Sequence, residues 1–174
     1  MNHAYPQNLL LSVYPFSRGF AFVFFESPES PFDWGVKVIK EKHKNTVTLD
    51  EIKKLIDRYR PEVLVIEDTT TGDTRRTSRI RKLYRMLAQL AGAEYVDLYR
   101  VSKGAIKECF ASVGAGTKYE IAKTIAIQIP GFAHRIPPLR KPWMSEDSRQ
   151  NLFDAAALGL TFYAVSHRAN AGNV

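Results

Sequence analysis

Apolar residues first cluster at Leu9 to Val13, a short run closed by Tyr14-Pro15, where proline cannot donate to a β ladder. Gly19 to Phe25 is rich in aromatics and predicts a second strand. Pro28 to Pro31 is a turn cluster, and Trp34 to Ile39 alternates, with Lys37 between Val36 and Val38, as a third strand would. Short links between the three predict an antiparallel meander. Thr48-Leu49-Asp50-Glu51 has capping-box spacing, with Thr48 as N-cap. It opens a helix carrying Ile52, Leu55, Ile56 and Tyr59 on one face, ended by Pro61. Val63 to Ile66 is apolar throughout, as expected of a strand covered on both faces, and Glu67 and Asp68 follow at its carboxyl end.

The second half changes period. After a polar loop from Thr69 to Thr74, a helical pattern runs from about Arg75 to Ala91 with Ile80, Leu83, Leu87 and Leu90 as its stripe, and Gly92 is placed to end it. Tyr95 to Tyr99 predicts a fifth strand, and Ser102 to Phe110 a short helix. Thr117-Lys118-Tyr119-Glu120 is a second capping box, starting a helix through about Ile127. Residues 130–142 hold four prolines and predict a loop, and Ser145 starts a last helix running to about His167. Strands linked through helices imply parallel pairing in this half. The expected architecture is α/β: a mixed five-stranded sheet flanked by helices, one domain over residues 1–174 with its core at about 9–168.

Composition adds a partner class. Lys and Arg number 25 against 18 Asp and Glu, a net charge of +7, which biases the chain toward polyanions. The lone Cys109 excludes an internal disulfide and fits a reducing compartment. No apolar window is long enough for a membrane span, and the N-terminus does not read as a signal peptide, so a cytoplasmic location is expected.

Four features point to chemistry. Glu67 sits just past a buried strand, at the carboxyl edge where open α/β sheets place their sites. In the last helix Asp147, Asn151 and Asp154 fall on one face, and Asp154 enters a nearly uninterrupted apolar run, where a carboxylate is costly unless paired or metal-bound. Asp147 sits in a first turn, where the helix dipole is reason enough for an acid. Arg75, Arg76, Arg79, Arg81, Lys82 and Arg85 put six cations into eleven residues with no acid before Leu90. Solvated helix faces normally mix signs, so phosphate contact is the favoured reading. Lys103 and Lys107 near Gly104, and Lys118 after Gly114-Ala115-Gly116, could add phosphate contacts, although the spacing matches no P-loop or dinucleotide fingerprint.

Leu11 to Gly19, Val65-Ile66-Glu67, Val101 to Lys118 and Asn151 to Ala157 follow one another in an order and spacing that resembles the RuvC family of Holliday-junction resolvases, members of the RNase H-like superfamily. The likeness runs from about Leu9 to Tyr163. It implies an RNase H-like fold, a homodimer, DNA as partner, and four acids holding two Mg²⁺ ions for strand cleavage. Carried over by position, Glu67 and Asp154 match catalytic and metal-binding acids. Tyr14 stands where the first-strand aspartate belongs, and Asn151 where the second helix aspartate belongs. Neither supplies a carboxylate, so Mg²⁺ should bind weakly or not at all. The leading expectation is a protein that binds branched or duplex DNA with weak or lost nuclease activity. One alternative is an active Mg²⁺-dependent junction endonuclease in which Asp68 and Asp147 complete the acid set. The other is a structural or protein-interaction module reusing the fold.

Overall fold

Side chains of β1 (Leu10–Phe16) alternate between two cores, as a strand covered on both faces requires. Leu10 faces one cluster, and Leu11 and Val13 face the other. The computed structural model describes residues 9–72 and 75–171. Antiparallel to β1 runs β2 (Gly19–Ser27), which pairs in turn with antiparallel β3 (Ser30–Val38). Helix α1 (Lys44–Tyr59) leads to β4 (Val63–Glu67), parallel to β1, and α2 (Ser78–Ala93) leads to β5 (Asp97–Val101), parallel to β4. The five-stranded sheet has the order β3-β2-β1-β4-β5. Helices α1 and α2 cover one face. Helices α3 (Lys103–Ala111), α4 (Lys118–Gln128) and α5 (Gln150–Ala171) cover the other.

Helix α5 is buried along much of its length and lies directly on β1 and β2. The approach is close because position 159 is glycine: a Cβ there would sit 2.6 Å from the Phe25 ring. The predicted capping box of α4 is present, with Glu120 and Thr117 bonded reciprocally across the first turn.

Several local expectations are corrected. Pro15 does not stop β1. It pairs opposite Phe20, at a point where β1 has already lost β4, so the missing N–H leaves no ladder position open on that side. Thr48 is not an N-cap but a buried residue inside α1, which begins at Lys44 after an uncapped His43. The first turn is instead tied down by Asn45, which exchanges hydrogen bonds with the Arg79 carbonyl and guanidinium, both at 3.0 Å. Arg75 and Arg76 precede α2, whose N-cap is Thr77. The chain turns after α2 at Tyr95, with φ 56°, rather than at Gly92, and β5 accordingly begins at Asp97. Residues Pro130–Arg135 form a 3₁₀ turn within the expected loop, and α5 starts at Gln150, which leaves Asp147 outside the helix.

Candidate functional site

The parallel pairing of β1 with β4 ends at Ser12 opposite Val65, while β1 runs on to Phe16 with β2 alone. A crevice therefore opens at the carboxyl ends of β1 and β4, as expected where neighbouring strands of an open sheet part. Two arginines bridge it. Arg76 donates to the Pro15 carbonyl at 3.3 Å, and Arg79 to the Phe16 and Ser17 carbonyls at 3.4 and 3.1 Å.

Glu67, at the end of β4, is 3% exposed. Its Oε2 accepts from Arg76 Nε at 2.7 Å, from Arg76 Nη2, and from the buried Tyr84 hydroxyl at 3.2 Å. The same guanidinium lies over the Tyr14 ring, 4.6 Å from its centroid. Across the crevice α5 supplies Asp154, whose Oδ2 lies 3.3 Å from Lys118 Nζ and whose Oδ1 accepts from Gln150 at 3.3 Å. Lys118 also reaches Glu146 at 2.9 Å. Each central carboxylate thus carries a cation from the chain itself.

Tyr14 stands between the two pairs. Burial pushes its phenol up to about 12, with Asp154 adding to the rise and Arg76 and Lys118 opposing it, so it stays a neutral hydroxyl. Burial also raises the Asp154 carboxyl, an effect that Lys118 reduces and Glu146 reinforces. Burial works against the charged Lys118, yet Asp154, Tyr14 and Glu146 together hold its ammonium above the ordinary range.

These groups line one cleft of about 590 Å³, whose walls also include Arg75, Lys103 and Lys107. The structure therefore brings together Glu67, Asp154, Tyr14, Arg75, Arg76, Lys103, Lys107 and Lys118. It does not bring in the substitute acids. Asp68 accepts from the Thr70 backbone and hydroxyl at 2.9 and 2.7 Å, and Asp147 is held by Arg149 at 2.7 Å. Asn151 donates to the Ser148 carbonyl at 3.1 Å and does not line the cleft. The arginine cluster divides. Arg76 and Arg79 turn inward, Arg75 faces the cleft, and Arg81, Lys82 and Arg85 are exposed residues of α2 outside it. Sequence reasoning missed Tyr84, Gln150 and Glu146. Tyr84 had a signal, since it falls between Leu83 and Leu87 on the apolar face of α2.

A pair of hard divalent cations needs several anionic oxygens free to converge. Here the two central acids are already compensated by a guanidinium and an ammonium. Among the described residues, no group of three or more acid, histidine or cysteine side chains is placed to hold a metal. The residues present do not fit Mg²⁺.

No family model matches the sequence, and no curated protein matches it. Solved structures do. Thermus thermophilus RuvC in complex with a Holliday junction substrate is 18% identical with a TM-score of 0.64, over 91% of this chain and 96% of that one. A second Thermus thermophilus RuvC structure has the same identity and coverage with a TM-score of 0.60. The yeast mitochondrial Holliday junction resolvase is 16% identical with a TM-score of 0.66, over 95% of this chain and 82% of that one. With its mixed five-stranded sheet between two helical layers, the chain has the RuvC-type, RNase H-like fold.

Proposed function

We propose that this chain binds branched DNA through the cleft at the carboxyl ends of β1 and β4, and that it does not cut DNA by two-metal chemistry. The observation that carries this is the charge of the cleft. Among the described residues, Arg75, Arg76, Lys103, Lys107 and Lys118 face it against Glu67 and Asp154. Arg76 and Lys118 are spent on those acids, which leaves Arg75, Lys103 and Lys107, all exposed, for phosphate. Lys103 and Lys107 stand one helical turn apart on α3, so both can follow one backbone strand. Branched DNA is favoured over plain duplex because the proteins that share the fold are a RuvC bound to a Holliday junction and a Holliday junction resolvase.

Binding of a four-way junction, measured at several salt concentrations, tests the reading. Replacing Arg75, Lys103 and Lys107 together with alanine should weaken binding and lower the log–log salt slope by roughly 3, about one unit per phosphate contact. Unchanged affinity of the triple variant at low salt overturns the interface. Incubation with Mg²⁺ or Mn²⁺ should leave the junction intact. Cleavage that Glu67→Gln abolishes would instead make this a working endonuclease.

A further inference from the structure

The geometry points to Trp143 as a stacking platform for an unpaired base of the bound DNA, set on a hydrogen-bonded turn whose Met144 borders a hollow that shares Lys118 with the cleft; this rests on the DNA-binding reading above. Trp143 is 78% exposed, although burying a tryptophan is among the largest gains a side chain offers. Its position is built. The Met144 amide donates to the Lys141 carbonyl at 3.0 Å, closing a four-residue turn with Pro142 and Trp143 at its two central positions. Proline presets the backbone at the first of these. Arg140 Nε donates to the Met144 carbonyl at 2.6 Å and holds the turn from the other side. The backbone that carries the ring is thus already ordered before anything binds.

The surroundings suit a nucleotide. Lys141 Nζ lies 5.4 Å from the Trp143 ring centroid, so one face carries a cation while most of the residue remains open to solvent. Lys118, Arg140, Glu146 and Asp147 line a hollow of about 290 Å³ that the turn borders through Met144, and Lys118 is also a wall of the basic cleft, so that side chain stands between the two spaces. A strand that leaves Lys103 and Lys107 and passes over Lys118 would reach the hollow bordered by the turn that carries the indole. Stacking tolerates any base, because every base has a π-face, but requires one that is not already stacked in a duplex. Trp143 would then favour junction centres, flaps and single strands over uninterrupted duplex.

The test uses the full chain with a four-way junction, a single strand and a blunt duplex, with 2-aminopurine at the unpaired positions where these exist. Trp143→Ala should weaken junction and single-strand binding roughly ten- to a hundredfold, leave duplex binding unchanged, and abolish the 2-aminopurine quenching seen with wild type. Trp143→Phe should retain most of both signals. An unaltered melting temperature for Trp143→Ala is expected, since the ring is exposed. If Trp143→Ala binds junctions like wild type while the Arg75/Lys103/Lys107 variant does not, this inference falls and the cleft reading stands. If wild type binds none of the three nucleic acids, both fall.

Discussion

At the scale of single residues, the centre of the site is a salt-bridged array in the place where the resemblance calls for a metal site. Glu67 is almost wholly buried, and the Arg76 side chain is 16% exposed. Removing one member of such a pair strands the other as a buried charge. Arg76→Ala should therefore cost about 3–5 kcal/mol in urea unfolding, whereas removing both charges with Glu67→Gln/Arg76→Met should cost far less. A loss for Arg76→Ala below about 1 kcal/mol, the scale of an exposed pair, would mean that Glu67 is not dependent on it.

Asp154 behaves oppositely with pH to an ordinary paired carboxylate. Its folded-state value is raised by burial, so in the window just above the usual carboxylate range the folded chain keeps a proton that the unfolded chain has released. Stability contributed by this residue is therefore full below the unfolded value and lost as pH rises through the raised one. Comparing wild type with Asp154→Asn by urea unfolding from pH 3 to 7 should show wild type losing ground to the variant as pH increases. A constant difference would show that Lys118 cancels the desolvation, and one of the opposite sign that it outweighs it.

Among the elements, what was legible followed periodicity, and what was not followed contacts between distant segments. Among the described residues, the five strands and five α-helices all fall on segments expected from the sequence, most of them because burial of one or both faces dictates an apolar pattern and α4 because of its capping box. The ends were harder. Thr48-Leu49-Asp50-Glu51 has capping-box spacing, yet α1 begins earlier because Asn45 and Arg79, 34 residues apart, anchor its first turn. Pro15 breaks no strand because β4 has already turned away, a fact about topology that a local reading of proline cannot contain. Gly159 was not singled out by the apolar run around it, but it sets how near α5 lies to the sheet. Gly159→Ala should destabilise by about 1–3 kcal/mol, since the added methyl meets the fixed Phe25 ring rather than open space. Thermal unfolding of that variant against Gly92→Ala, where an added Cβ meets nothing within 4 Å, separates this clash from general loss of glycine.

Over the whole molecule, Glu67 and Asp154 were readable because acids at a strand end and on a buried helix are unusual, and both do face the cleft. Their counter-ions were not. Arg76 looked like one of six cations on a helix, and only the fold shows it leaving that helix and turning back under Tyr14. Lys118 looked like a phosphate contact and proves to bridge Asp154 and Glu146. Charge totals could suggest a polyanion partner; they could not say which cations were already committed.

The guanidinium and ammonium at the two acids carry a thermodynamic consequence. A ligand that binds only the folded state raises the melting temperature by mass action, and a metal held by native carboxylates does so in proportion to its occupancy. In this chain the cations are covalently part of the polypeptide, at an effective concentration no dialysis can lower. Its melting temperature should be the same in EDTA and in millimolar Mg²⁺, measured by calorimetry at constant ionic strength. A rise of several degrees with Mg²⁺ would mean that a divalent ion displaces Arg76 or Lys118 after all. Otherwise folding in this molecule is uncoupled from metal supply.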